Sequence, residues 1–355
     1  MIERAKTRQI KVGDVKIGAF APVSIQSMTK CDTSDVKAVV AETKRLEDAG
    51  CDIVRVAVKD INDARAVKDI KKKVRIPVVC DIHFNYRLAL ESIKNGADKV
   101  RLNPGNMRNK EEVTEVVKAA KKRGIPIRVG LNSGSIFARL PSRTTYHDVD
   151  LSSALVGSAL AYIKIFEELD FRDIIISLKA SDVATTVEAY RKMARLSYYP
   201  LHLGVTASGS YDSGIVKSSV GIGALLLDGI GDTIRVSLTA DPVEEVIAAK
   251  RILSSVGLRR FGPEIISCPT CGRCQVNLGE IVKQLEREVA RSPGRQVARS
   301  MKIAVMGCEV NGPGEAKEAD LGIAFGKGSG MIFKKGKIIK KVAVENAVKE
   351  LLKRL

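Results

Sequence analysis

The sequence predicts an α/β protein: a (βα)8 TIM barrel over residues 1–260, followed by a smaller α+β unit over residues 261–355. Three observations lead there. Between Val23 and Gly257 one pattern recurs, a short β-branched run, a polar turn and an amphipathic helix, at the spacing of a TIM barrel. The runs are apolar almost throughout, as strands buried on both faces are. Past Arg259-Arg260-Phe261-Gly262-Pro263 the pattern changes, and four of the seven cysteines collect there.

Taken in order, strands are expected at 23–28, 53–58, 78–82, 99–102, 127–131, 174–178, 201–205 and 233–237. The helices between them are expected at 35–49, 61–72, 86–94, 111–123, 151–169, 183–196, 215–227 and 242–256. Gly50, Gly96, Gly124 and Gly257 each stand just past a helix, where a left-handed residue ends it. An open doubly wound sheet is the competing topology, but no glycine-rich phosphate fingerprint follows the first strand. In the second unit the pattern gives a helix at 278–290, strands at 302–306, 321–325, 330–333 and 338–341, and a closing helix at 344–355.

Of the 355 residues, 59 are Lys or Arg and 41 Asp or Glu, for a net charge of +18. Such an excess draws acidic partners. Nucleic acid is not the expected one: aromatics for stacking are only 4%, Trp is absent, and the basic residues are spread over every helix. The longest apolar run, near Gly223–Leu227, is broken by glycine and stopped by Asp228, so no membrane span is expected. The N-terminal residues lead into no apolar signal segment, and the expected compartment is the cytoplasm. In that reducing setting disulfides are not expected. Cys31, Cys51 and Cys80 then read as small buried hydrophobes.

In a TIM barrel the active site is built from the C-terminal ends of the strands. Those positions carry Gln26, Arg55, Asp81 with His83, Arg101 with Asn103, Arg128 with Asn132, Lys179, His202 with Thr206, and Arg235 with Ser237. Four arginines and a lysine cannot share one dry mouth without an anion. Arginine forks match phosphate oxygens, which makes a diphosphate the economical ligand. Asp81 or Asp228 could neutralise individual members. The turns Asn103-Pro104-Gly105-Asn106 and Asn132-Ser133-Gly134-Ser135 could offer backbone N–H groups to phosphate, or serve as ordinary turns. His83 and His202 read equally as acid–base groups or as core histidines; His147 lies in a polar loop and has no assigned role.

The second unit holds Cys268-Pro269-Thr270-Cys271-Gly272-Arg273-Cys274 on one loop and Cys308 directly after a strand. This spacing suits zinc or an iron–sulfur cluster about equally. The three-residue gap that opens a radical-SAM motif is absent.

Cys-Pro-Thr-Cys at 268–271 with Gly-Cys-Glu-Val-Asn-Gly-Pro-Gly-Glu at 307–315 resembles the 4-hydroxy-3-methylbut-2-enyl diphosphate synthase family of the non-mevalonate isoprenoid pathway, in its compact two-domain bacterial form. Ser24–Thr29, Asp81–Phe84, Val100–Asn106, Arg128–Ser135 and Leu201–Thr206 resemble the family's barrel blocks, so the likeness runs nearly end to end. The resemblance implies a [4Fe–4S] cluster held by Cys268, Cys271, Cys308 and Glu315. The implied reaction is reductive ring opening and dehydroxylation of 2-C-methyl-D-erythritol 2,4-cyclodiphosphate. Arg55, Arg101, Asn103, Arg128, Asn132, Lys179 and Arg235 would bind the cyclic diphosphate, and Asp81, His83, His202 and Glu315 would serve the chemistry. It also implies reduced flavodoxin or ferredoxin as electron donor, and a homodimer whose active site is shared between subunits. The chain departs from the family pattern at Ala207, where a Glu is usual, and in the additional Cys274. A pterin- or folate-binding barrel transferase with a structural metal is the alternative enzyme reading. A zinc-stabilised nucleic-acid-binding module is the alternative outside enzymes, and it leaves the strand-end arginines without a purpose.

Overall fold

The computed structural model describes the chain except for residues 1, 105, 108, 138–149, 207, 291–300, 311–313, 315 and 318. It divides into two compact units, Met1–Arg259 and Arg260–Leu355.

The first unit begins with an antiparallel hairpin, β1 (Ile10–Val12) and β2 (Val15–Ile17), turned at Gly13 with φ of 55°. Eight parallel strands follow: β3 (Ser24–Met28), β4 (Ile53–Val58), β5 (Val78–Ile82), β6 (Lys99–Leu102), β7 (Ile127–Asn132), β8 (Ile174–Lys179), β9 (His202–Leu203) and β10 (Thr233–Ile234). They pair in the order β8-β7-β6-β5-β4-β3-β10-β9, and a single bridge, Ile176 to Leu201, joins β8 to β9 and closes the barrel. β9 and β10 are shorter than the apolar runs suggest, although Leu203, Val205, Ile234 and Val236 are all buried.

The helices start where the sequence supplies caps. Asp35, Asp60, Asn85, Asn109, Asp150, Asp182 and Asp241 each accept a backbone N–H from the first turn of the helix they precede. Gly50 and Gly124 close their helices at φ of 95° and 69°, a region that costs glycine little. The hairpin, which the strand–helix count overlooks, packs Ile10, Val12 and Ile17 against Ile53, Val79 and Ile175 at the starts of barrel strands, so it plugs the end opposite the mouth. Its signal is present in the sequence: Ile-Lys-Val, Gly-Asp, Val-Lys-Ile alternates around a two-residue turn.

The second unit is a five-stranded sheet in the order β11 (Glu264–Ser267), β12 (Lys302–Met306), β13 (Leu321–Gly326), β14 (Ser329–Lys334), β15 (Lys337–Ala343). The first three are parallel and the last two antiparallel. The helices Leu278–Ala290 and Ala347–Leu352 belong to this unit. Leu278, Leu285, Ile303, Val305, Leu321, Ile323, Phe325, Ile332, Val348 and Leu351 form its core. β11 is absent from the sequence reading: four residues with no buried member carry no period to read.

Candidate active site

Strand period places the site. Residues two apart on a strand face the same way, so Lys99 and Arg101 both point into the barrel and are 0% and 4% exposed. Arg55, Asp81, Arg128, Lys179 and His202 are buried there with them.

Asp81 is the hub. Its carboxylate accepts Arg101 Nη1 at 2.9 Å and stands 3.7 Å from Arg55 Nε and 3.6 Å from His83 Nε2. Burial by itself would push this carboxyl up, but Arg101 and Arg55 outweigh burial and hold it well below the usual carboxylate range. Asp81 is therefore an anion at neutral pH and orients the arginines; a proton must come from another group. His83 is suited to that. It is half open to solvent, and Arg101 Nη1 lies 3.2 Å from its Nε2.

Arg101 also donates from Nη2 to the carbonyl of Gly130 at 2.8 Å. Gly130 is required there: a Cβ would stand 2.6 Å from Arg101 Nε. Gly204 does the same for Lys179, where a Cβ would lie 2.6 Å from both Nζ and the carbonyl of Arg235. Glycines on β7 and next to β9 thus make room for cations from neighbouring strands. Gly130→Ala is expected to displace Arg101, destabilise the fold by about 1–3 kcal/mol through overpacking, and raise KM about tenfold, roughly 1.4 kcal/mol of lost binding. Urea unfolding and steady-state kinetics would check it; wild-type values in both would mean Arg101 has slack.

Arg235 is neutralised, and not by Asp81 or Asp228. Its Nη2 and Nε reach Glu245 at 3.2 and 3.3 Å, and its Nη1 donates to Ser237 Oγ at 2.7 Å. Glu245, 1% exposed, comes from the helix Pro242–Ser255 and also accepts from Ser27 Oγ at 3.1 Å. Asp228 instead pairs with Arg191 at 2.7 Å. The sequence reading misses Glu245 because two consecutive glutamates in a first helical turn look like capping charges.

Among the described residues the remaining cations have no carboxylate of their own. Arg128 is 1% exposed, and its Nε and Nη1 have no hydrogen-bond partner. Among the described residues Lys99 reaches Gln26 Oε1 alone, at 3.4 Å, and Gln26 Nε2 is unpartnered. Burial, with the neighbouring cations adding to it, pushes Arg128, Lys99 and Lys179 well below their usual values. His202 is fully buried, pushed down by burial and by Arg128 and Lys179, and so neutral; its Nδ1 is 3.4 Å from Thr233 Oγ1 and its Nε2 has no partner. Asn103 is buried at the end of β6, and its carbonyl accepts the N–H groups of Asn106 and Met107, which makes that segment a turn. Asn132 ends β7, where Ser135 Oγ donates to its carbonyl at 2.7 Å. Gly105, Ala207 and His147 lie outside the described residues. Six basic residues thus meet two carboxylates in one buried space, and the arrangement asks for a multiply charged anion.

In the second unit the two cysteine segments meet at the end of β12. Gly307 donates its N–H to Cys268 Sγ at 3.3 Å, and a Cβ on Gly307 would stand 2.5 Å from Cys274 Sγ. Cys308 follows directly. Cys274 donates to the carbonyl of Val276 at 3.2 Å and packs on the unit's core, whereas Cys271 is exposed. None of these cysteines is in a disulfide. Among the described residues no three His, Cys, Asp or Glu side chains stand close enough to hold one ion, and Glu315 lies outside them. The donor set fits an iron–sulfur group: soft thiols on loops around one strand end, with a backbone N–H aimed at sulfur.

Comparison with known proteins gives the same division. Residues 7–250 match the GcpE TIM-barrel domain and residues 264–355 the GcpE protein C-terminal domain. A protein of Thermodesulfovibrio yellowstonii is 55% identical over 355 residues, covering 100% of this chain and 99% of its own. One of Clostridium perfringens is 53% identical over 352 residues, covering 99% of each. Both are named 4-hydroxy-3-methylbut-2-en-1-yl diphosphate synthase (flavodoxin). Among solved structures, dihydropteroate synthase from Stenotrophomonas maltophilia matches with a TM-score of 0.54 at 14% identity, over 71% of this chain and 100% of that one; it shares the barrel fold. Among the described residues no helix is long and apolar enough to cross a membrane.

Proposed function

Because the chain belongs to the GcpE family, we propose that it catalyses the reductive ring opening and dehydroxylation of 2-C-methyl-D-erythritol 2,4-cyclodiphosphate to 4-hydroxy-3-methylbut-2-enyl diphosphate. The conversion takes in two electrons and two protons and releases one water. The observation that carries the reading is the surplus of buried cations at the barrel mouth, which a cyclic diphosphate would neutralise. The pterin transferase reading is not favoured: the likeness to dihydropteroate synthase extends to the barrel fold alone, whereas the family match covers both units.

Arg128 and Lys179 bind diphosphate oxygens, and Asp81 keeps Arg101 and Arg55 aimed at the same group. Arg235, half-spent on Glu245, contributes at the rim. Asn103 and Asn132 orient the substrate's hydroxyls. His83, the solvent-facing member, delivers a proton to the departing oxygen, while neutral His202 lines the floor. Cys268, Cys271, Cys308 and Glu315 would hold a [4Fe–4S] cluster, which supplies the electrons one at a time. A carboxylate is a harder and weaker ligand for iron than thiolate, so Glu315 would be the exchangeable one. Reduced flavodoxin, or ferredoxin in its place, is the donor. A homodimer with a shared site belongs to the same reading; the stripe Val216, Val220 and Leu227 on the helix Tyr211–Leu227, whose members are 62%, 55% and 61% exposed, offers an apolar face for self-association. Seven cysteines outside disulfides suit the reducing cytoplasm.

The test starts with iron and acid-labile sulfide on protein purified without oxygen, followed by cyclodiphosphate turnover with dithionite. About four of each per chain, with a brown colour bleached on reduction, is the expected result. One zinc and no sulfide after anaerobic reconstitution would overturn the redox mechanism.

A further inference from the structure

The second unit carries a concentration of charge that the reaction does not use. Residues 321–343 contain Lys327, Lys334, Lys335, Lys337, Lys340 and Lys341 and no Asp or Glu. Residues 334–341 are all exposed. Lys340 pairs with Glu350 at 2.7 Å; among the described residues none of the other five has a carboxylate partner. β15, which bears three of them, ends the sheet order, so its outer edge is unpaired. In the middle of the lysines sit Ile338 and Ile339, 65% and 47% exposed, where the register with β14 shifts between Ile332 and Phe333. Lysines on an edge strand discourage edge-to-edge pairing. That purpose is served by one or two charges, and it gives no reason for two adjacent exposed isoleucines.

The sheet also links this edge to the cysteines. Lys341 pairs with Met331, Met331 with Ala324, and Ala324 with Met306, two residues before Cys308. The row crosses three strand spacings, roughly 14 Å. Lys327 lies in the turn between β13 and β14 at the same end, where a Cβ on Gly326 would stand 2.8 Å from Glu309 Oε2.

We propose that the β14–β15 hairpin is the docking surface for the acidic electron carrier: the lysines steer and orient it, and Ile338–Ile339 provide the apolar anchor at the centre of a charged rim. This rests on the reductase reading above. The partner it fits is a small flavoprotein with a ring of carboxylates around its flavin. Opposite charges raise association rates and set orientation, and the effect fades with salt.

The experiment compares two reductants on the full-length holoprotein. Turnover is driven either by dithionite with methyl viologen or by a bacterial flavodoxin with its NADPH-dependent reductase. The variant is Lys334→Glu, Lys337→Glu and Lys341→Glu together; a matched control reverses three exposed barrel lysines, Lys44, Lys118 and Lys122. The hairpin variant is expected to keep its iron content and its dye-driven rate within twofold. Its kcat/KM for flavodoxin should drop at least tenfold at 0.1 M salt, with a shallower salt dependence, and calorimetry should show a matching rise in flavodoxin Kd. Ile338→Ser alone should weaken binding without altering the salt slope. An unchanged flavodoxin-driven rate overturns the proposal. So does an equal loss in the barrel control, which would reduce the effect to net charge, or a parallel loss of the dye-driven rate. No turnover by wild-type protein with either reductant is a different outcome, and it sinks the reductase reading itself.

Discussion

Arg128→Met is expected to make the protein more stable and nearly inactive at once. Among the described residues Arg128 is the largest fully buried side chain, and two of its nitrogens have no partner there. Arg55 and Arg101 repel it, and Asp81, already engaged with both, compensates little. Replacing buried charges by apolar groups of similar volume stabilises proteins by about 1–4 kcal/mol. A gain near the middle of that range would raise the melting temperature of the barrel by on the order of 5 °C. The same change removes a desolvated contact to phosphate, a loss of about 3–4 kcal/mol or 10²–10³ in kcat/KM. Inorganic pyrophosphate should raise the melting temperature of the wild type by mass action, and of the variant much less. Calorimetric scans with and without pyrophosphate check both halves. A melting temperature that falls by several degrees would mean that Arg128 holds the barrel together, and the anion-site argument would lose its centre.

Cys308→Ala should take bound iron and sulfide to background and dithionite-driven turnover with them, while the far-UV circular dichroism stays that of the wild type. Small zinc domains unfold without their metal because the ligands substitute for a core. Here the sheet has one: Ile303, Val305, Leu321, Ile323 and Phe325 are all fully buried, and helix residues Leu278, Leu285 and Leu351 cover them. The unit therefore folds on apolar burial, and the metal group is an addition to it. Retention of stoichiometric iron in Cys308→Ala would remove this residue from the ligand set; loss of secondary structure would show that the core is too small to stand unaided.

The barrel was legible because most of its strands are apolar runs broken by only one or two polar residues, each lying between a helix stop and a helix cap, and because strand period fixes which side chains face inward. The same period makes Arg55, Arg101, Arg128 and Lys179 readable as a cluster. It does not reveal what neutralises them, since Glu245 reaches Arg235 and Ser27 only after a helix has folded back over the first strand. Nor does it reveal Gly130 and Gly204 as the space for two cations, because a glycine's purpose there depends on the neighbouring strand. Lys99 was available in principle, two positions before Arg101 on the same strand. The cysteine loop gave its chemistry through spacing, yet spacing alone could not separate zinc from a cluster; the Asn-Gly-Pro-Gly-Glu run after Cys308 did that through resemblance. The exposed lysines of β15 could be counted in the sequence, but not recognised as one uncompensated edge until the sheet order was known.

The junction of the N-terminal strap with the segment before β10 sets a timetable for the barrel's synthesis. Arg4 donates to the carbonyl of Gly231 and to Asp232, Thr7 Oγ1 donates to Asp232, and Ala5 N–H donates to Gly229, so the strap ahead of the β1–β2 hairpin is fastened by residues more than 220 positions later. At 5–20 residues per second, roughly 10–45 s separate the emergence of the two sides. Through that interval, among the described residues, only the strap's bonds to Ala19 and Ala21, and later that of Arg8 to Tyr198, can form. Its residues Glu3, Arg4, Lys6, Thr7 and Arg8 are charged or polar, a composition that tolerates waiting in water, while the apolar plug behind them can fold on itself as a hairpin. The strap's fastening on a ribosome is thus completed late, and a nascent chain halted before residue 229 should be cut by protease at Arg4 and Lys6 faster than the finished chain.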